Sequence, residues 1–261
     1  MMKKLFSFAL AMSVASFGAA AAVHAQSLNQ KAADAPVPDG YNCAGGAFNF
    51  GSGANTFNTC VSDTGNIVVF NSSGGEVINL GTVIEGYIVC ADSGNYYDVI
   101  AAASGWNAPT ISTPGVLPIT ITRSTSDGRF LLTQKYAKDN AEHDFTVTMT
   151  LKATGGARTN VRLVRAVDID VDENLSGSFV DLFDRSVDAV WGRQTHGFSM
   201  TAQTLGVSHS TTIRPIAVPT TCDLGTDATP QTYDGYGAIQ YNIGGMNSNS
   251  SKTVKVVYRG Y

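Results

Sequence analysis

Charge is scarce in this sequence. Asp, Glu, Lys and Arg together make up 15% of its 261 residues, against about 25% in an ordinary globular protein. Seventeen basic side chains face 21 acidic ones, for a formal net charge of −4, a balance that argues against nucleic acid and anionic lipid as partners. Catalytic signatures are missing too. There is no H-E-x-x-H for a zinc protease, no G-x-S-x-G nucleophile elbow, and no C-x-x-C pair for a metal or redox site. The glycine pairs Gly74-Gly75 and Gly155-Gly156 are not followed by a helical pattern, so phosphate binding lacks its helix terminus. Beyond the first 25 residues no helical period longer than three turns occurs, and no internal repeat.

A long apolar run occurs once, from Leu5 to Val23, behind Met1-Met2-Lys3-Lys4 and ahead of Val23-His24-Ala25. The run is nearly long enough to cross a bilayer. The positive start and the small-residue site favour a cleaved signal peptide over residues 1–25, with Gln26 as the new N-terminus. Ser27 to Asp39 is rich in Ala, Pro and polar residues without periodicity, which reads as a flexible lead-in over residues 26–41. Residues 42–261 then form one domain large enough for a real core. Without Lys3 and Lys4 the chain is two units more negative, and no further stretch is apolar enough to span a membrane. The expected location is secreted, periplasmic or extracellular.

Four cysteines follow the leader: Cys43, Cys60, Cys90 and Cys222. An even number in an exported chain reads as disulfides. Three pairings are open. The favoured one staples Cys43 to Cys60 locally and clamps Cys90 to Cys222 over a long range.

Short β-prone runs recur between turn residues: Phe57–Val61, Asn66–Asn71, Glu76–Leu80, Glu85–Ala91, Pro118–Arg123, Phe130–Lys138, His143–Ala153, Ala189–Trp191, Gly197–Gln203, Ala238–Ile243 and Thr253–Arg259. Ala101 to Leu117 has neither period and is expected as an ordered loop over a packed Trp106. Asn174 to Asp188 is turn-rich and acidic, with a short helix over Ser178–Arg185 as an option. The whole predicts an all-β fold, a large antiparallel sandwich in a single domain. An outer-membrane barrel is disfavoured, because Arg259 and Lys255 share the face of a terminal strand that would meet lipid.

Val161 to Asp172 carries the strongest strand signal and the densest ionisable group. Alternation sorts it into an apolar row broken by Arg165 and a second row of Arg162, Val164, Ala166, Asp168, Asp170 and Asp172. Turning through Thr154-Gly155-Gly156-Ala157, this strand is expected to pair with His143–Ala153 and to show its three aspartates on a polar face. Asp168 and Asp170 are then candidate ligand-binding residues, with Arg162 and Trp191, and candidate catalytic carboxylates for sugar chemistry at about the inverting separation. Asp168, Asp170, Asp172 and Asn174 also occupy alternate places of a D-x-D-x-D loop, so Asp172, Glu173 and Asn174 are candidate calcium ligands, although Glu173 stands where an EF-hand has glycine. The alternative is a solvated or Arg-paired stripe. His143, His196 and His209 read as surface residues.

Arg165-Ala-Val-Asp168-Ile-Asp170 resembles an R-x-x-D-x-D strand found in a group of exported bacterial β-sandwich proteins. The last hairpin, Ala238-Ile-Gln-Tyr-Asn-Ile-Gly and Ser251-Lys-Thr-Val-Lys-Val-Val-Tyr258, resembles that of supersandwich domains of the mutarotase type. The resemblance implies a supersandwich-like fold. No match to the catalytic histidine and glutamate of mutarotases can be placed, so it does not extend to activity. Function therefore stands as three expectations, in order: a non-catalytic binding or surface-interaction module whose partner is carbohydrate or another surface protein; a carbohydrate-active enzyme working at the acidic face; and a calcium-stabilised structural module. Calcium apart, no cofactor is expected.

Overall fold

The computed structural model describes residues 43–50, 57–72, 75–78, 85–92, 94–100, 102–138, 144–172, 180–204, 206–225 and 230–261. The expected leader and lead-in lie outside them. The described residues are all-β, arranged as an antiparallel sandwich of three sheets. The first is a four-stranded meander of β1 (Gly46–Phe50), β2 (Phe57–Val61), β3 (Ile67–Ser72) and β4 (Gly75–Ile78). A six-stranded sheet contains β5 (Glu85–Ala91), β6 (Gly94–Val99), β7 (Ala102–Ser104), β12 (Arg158–Asp168), β16 (Ser208–Pro215) and β18 (Gly235–Met246), in the order β16-β18-β12-β5-β6-β7. A nine-stranded sheet takes β8 (Thr110–Ser112), β9 (Ile119–Ser124), β10 (Phe130–Lys138), β11 (Asp144–Ala153), β13 (Asp181–Arg185), β14 (Ala189–Arg193), β15 (Gly197–Ala202), β17 (Gln231–Tyr233) and β19 (Ser251–Gly260), in the order β17-β13-β14-β15-β19-β11-β10-β9-β8.

Alternation builds the nine-stranded sheet. On β11, Phe145, Val147, Met149 and Leu151 are buried, while Thr148, Thr150 and Lys152 are half-exposed on the other side. The buried row meets two covers. Phe48, Phe57 and Phe70 of the meander pack against Phe145, Phe198 and Tyr258. Tyr87, Val89, Leu163, Val167 and Ile239 of the six-stranded sheet close the same core. The long hairpin expected between His143–Ala153 and Val161–Asp172 does not form: β11 pairs with β10 and β19, and β12 pairs with β18 and β5. The threonine row and the aspartate row therefore belong to different sheets.

The strand β12 is covered on both faces, which the alternating pattern did not reveal. Behind its core row, Val164 and Ala166 join Ile88, Cys90, Val99, Cys222, Tyr236 and Ala238 in a second buried cluster. The segment after β16 provides that cover, pinned by a Cys90–Cys222 disulfide, while a Cys43–Cys60 disulfide ties the entry of the meander to β2. Two loop expectations also change. Ala101–Leu117 contains β7 and β8, with Trp106 packed edge-on against Tyr87 and Tyr96. Asp181–Arg185 is the strand β13, its inward Asp181 and Phe183 alternating with half-buried Leu182 and Asp184, rather than a helical turn.

One polar network crosses the core. Arg165 of β12 is fully buried and meets Glu85 of β5, Nη2 lying 2.5 Å and Nε 2.8 Å from Oε1. Its Nε also donates to Tyr258 Oη of β19 (2.8 Å), and Nη1 to Gln134 Oε1 of β10 (2.8 Å) and to the Gly65 carbonyl. The Ile67 amide of β3 donates to Glu85 Oε2 at 2.5 Å. Asn66 then links this centre to a second one, donating to the carbonyls of Glu85 and Asp98, and Asp98 pairs with Arg123, which also holds Tyr87 Oη at 2.9 Å. Burial raises the Glu85 carboxyl above its usual range, although Arg165 opposes it. Burial works to lower the Arg165 guanidinium, but Glu85 and the tyrosines hold it well above its usual value.

Arg165→Met leaves the Glu85 carboxylate buried without its cation and is expected to cost about 3–5 kcal/mol in urea unfolding. The double change Arg165→Met with Glu85→Leu recovers part of that loss. Equal losses in the single and double variants would contradict this account.

Candidate functional site

Past Asp168 the chain leaves β12 and crosses toward the end of the nine-stranded sheet. Ile169 wedges against β14, where a Cβ on Gly192 would stand 2.8 Å from Ile169 Cγ2, so that position has room only for glycine. Val171 donates its amide to Asp181 Oδ2 of β13 at 3.0 Å. The crossing ends at Asp172, which takes the left-handed backbone conformation with φ 59°, a region that Asp enters more readily than most residues.

This path scatters the aspartate row and buries it. Asp168 is 1%, Asp170 1% and Asp172 2% exposed, so the expected wet acidic face does not exist. Asp168 and Asp170 meet Asp234, a residue of the loop before β18, with one carboxylate oxygen of each within 4.8 Å of the others. Like charges this close share protons or enclose a hard cation. The calcium set expected from sequence is divided: Asp172 is drawn elsewhere, and Glu173 and Asn174 lie outside the described residues. Asp181, fully buried beside them, has its carboxyl pushed up to about 8 by burial, with Asp170 and Asp172 adding repulsion.

Asp172 instead holds His196. Its Oδ1 lies 2.5 Å from His196 Nδ1, and its Oδ2 accepts the amides of Thr195 and His196 at 2.9 and 2.8 Å. The imidazole is a quarter exposed. A carboxylate on Nδ1 fixes the ring and presents Nε2, so His196 is more than the turn residue expected from Arg193-Gln194-Thr195. His209 similarly meets Asp188 at 2.8 Å, and His143 lies outside the described residues.

Arg162 and Trp191 do not join the aspartates. Arg162 lies six residues before Asp168 on β12, about 20 Å along a strand; it donates to the Cys222 carbonyl and lines a hollow of about 420 Å³ with Asn160 and Asn242. Trp191 projects from the outer face of the nine-stranded sheet, since its neighbours Val190 and Gly192 face inward. Strand register sets it in a row across the sheet: Asp184, Trp191, Ser199, Arg259 and Asp144. Arg259 and Asp144 are joined by two contacts of 2.5 Å. One step along the strands, Tyr261 lies over Gly197 and is 53% exposed. Beyond, the same face carries Thr122, Thr133, Thr150 and Thr253 opposite one another in one row, and Thr120 and Thr148 on either side of Lys135 in the next. Sequence reasoning singled out Trp191 but not Tyr261, Asp181 or Asp234. The tyrosines flanking Asp234, in Tyr233-Asp234-Gly235-Tyr236, were the available signal that this loop is buried.

No protein-family model matches the sequence, and no curated protein matches it. Among solved structures, the chain is similar to a bacterial glucoamylase complexed with acarbose, with a TM-score of 0.55 and 11% identity over 85% of this chain; it spans 33% of that protein. A protein assigned as an aldose 1-epimerase from Escherichia coli K12 has a TM-score of 0.48 and 8% identity, over 82% of this chain and 98% of that one. The first likeness is one of fold.

Between pH 4 and pH 8 the folded chain keeps a proton on Asp181 that the unfolded chain gives up, so this group costs stability progressively as pH rises through that window. Asp181→Asn removes the effect and still accepts from Val171. The variant is expected to gain on the wild type from pH 4 to pH 8, by an order of a few kcal/mol, and to gain no more above it. Urea unfolding at pH 4, 6 and 8 checks both sign and window.

Proposed function

We propose that this protein is an exported, non-catalytic binding module of supersandwich type that takes carbohydrate on the outer face of its nine-stranded sheet. The observation that carries the reading is the outer row Asp184, Trp191, Ser199 and Arg259, the last anchored by the buried Asp144, with the Tyr261 ring one step away. An indole face packs against the apolar face of a sugar ring, while neighbouring carboxylate, hydroxyl and guanidinium groups bind its hydroxyls. Two disulfides suit an oxidising compartment. The fold is shared with a bacterial glucoamylase complexed with acarbose, which supports the choice of ligand class without assigning it. Asp168 and Asp170, offered by sequence as catalytic carboxylates, are at 1% exposure and do not reach a substrate on this face.

A carbohydrate-active enzyme is the second reading, favoured by the Asp172–His196 pair, whose partly exposed imidazole suits proton transfer. Reducing-sugar release that disappears in His196→Ala would establish it in place of the first.

The first reading is tested with Trp191→Ala in sedimentation against insoluble starch, cellulose, xylan and chitin and in titration with their soluble fragments and with sodium alginate. Loss of about tenfold in affinity, ~1.4 kcal/mol, with an unchanged melting temperature is expected, because the side chain is outside the core. Wild-type affinity in the variant, or no polysaccharide bound by either protein, overturns the reading.

A further inference from the structure

All five lysines that follow residue 42 fall on three adjacent strands of the nine-stranded sheet: Lys135 and Lys138 on β10, Lys152 on β11, Lys252 and Lys255 on β19. Three of them, Lys135, Lys152 and Lys255, share the outer face, whereas Lys138 and Lys252 stand opposite inward Phe145 and Leu151 near the strand ends. In a chain of net charge −4, the outer face of these strands therefore carries the opposite sign. Register sharpens the arrangement. Thr120, Lys135, Thr148 and Lys255 stand directly opposite one another across β9, β10, β11 and β19, so the two ammonium-bearing strands are separated only by β11, about 10 Å at the usual strand spacing. Between them is a hollow of about 210 Å³ lined by Lys135, Ala137, Lys138, Thr146, Thr148 and Lys255. Lys138 lies over the Phe50 ring at 5.5 Å, which fixes one wall. Among the described outward residues of β8–β11 and β19, Asp144 is the sole carboxylate, and Arg259 holds it.

We infer that the carbohydrate taken by this face is an acidic polysaccharide, bearing carboxylate or sulfate groups, whose anions seat in the hollow between Lys135 and Lys255. The inference rests on the carbohydrate reading given above and deepens it. A broad sheet face matches an extended polymer: the row around Trp191 and the row through Lys135 and Lys255 lie four residues apart along β11 and β19, at Asp144 and Thr148 and at Arg259 and Lys255, about 14 Å. That is within the span of a few sugar units, so one chain can stack on Trp191 and set an anionic group between the lysines. Lysine suits this task as a point charge on a flexible stem, which accepts anions at variable spacing. The threonine hydroxyls around it donate to sulfate or carboxylate oxygens. A polynucleotide also carries anions, but at the Trp191 end of the face its phosphates meet the Asp184 carboxylate across from the indole.

The test compares sodium alginate, neutral dextran and duplex DNA as probes of the full chain by calorimetry or affinity electrophoresis, for the wild type, Trp191→Ala and the double variant Lys135→Gln with Lys255→Gln. Alginate is expected to bind the wild type, to weaken several-fold between 50 and 500 mM NaCl, and to lose about tenfold in the lysine double variant, whose melting temperature stays unchanged because both side chains are outside the core. Dextran and DNA are expected to bind at least tenfold more weakly than alginate. A neutral polysaccharide bound through Trp191 with no preference for alginate overturns the acidic-ligand inference and leaves the carbohydrate reading standing. Failure of every polysaccharide overturns both. DNA bound as tightly as alginate, or alginate affinity unchanged in the double variant, overturns the inference alone.

Discussion

The Arg165 guanidinium is the constraint around which the three sheets are assembled. A cation with no exposure is tolerable only when its donors are satisfied and an anion is at hand, and here the partners arrive from separate layers: Glu85 from its own sheet, Tyr258 and Gln134 from the nine-stranded sheet, and the Gly65 carbonyl from the meander. Each sheet therefore has one position that cannot slide. A one-residue slip of β12 would turn Arg165 to the opposite face and break every one of these bonds together. Hydrophobic burial drives the layers together without selecting a register; this network selects it.

Much of the fold was legible because most strands have one wet face. Phe57–Val61, Glu85–Ala91 and Phe130–Lys138 stand with the boundaries their patterns implied, and β11 alternates as its Phe, Val, Met and Leu against Thr required. The pattern failed where a strand has no wet face. Val164 and Ala166 were legible as apolar, but nothing local revealed that a segment more than 50 residues downstream, held by Cys222, covers them. Arg165 stood out as the break in the apolar row, yet its carboxylate lies 80 residues upstream, beyond the reach of any periodicity. The aspartates were misread for a related reason. Alternation assumes that the strand continues, and β12 stops at Asp168, after which Asp170 and Asp172 follow a crossing path with different partners.

The two polar regions of the molecule consequently do different work. Acid is hidden at one end of the sandwich, where burial lifts Asp181 far out of the carboxylate range, and hydroxyls and ammonium groups are displayed on the broad sheet face. Composition alone averages these into a mildly acidic chain. Only the strand order, which brings β10, β11 and β19 side by side although β19 is some 100 residues later than β11, separates them.

Among the described residues the outermost strands are short. Both edges of the nine-stranded sheet and one edge of the six-stranded sheet, β17, β8 and β7, are three residues long, and the meander is bounded by strands of five and four. The eight-residue exception, β16, ends in Pro215 and carries Arg214 beside it. Unpaired backbone groups on long, bare margins invite neighbouring copies to add themselves as extra strands. With margins this abbreviated, the protein can crowd at high local concentration without growing into ribbons, and the broad faces of its sheets are the surfaces left to meet a neighbour.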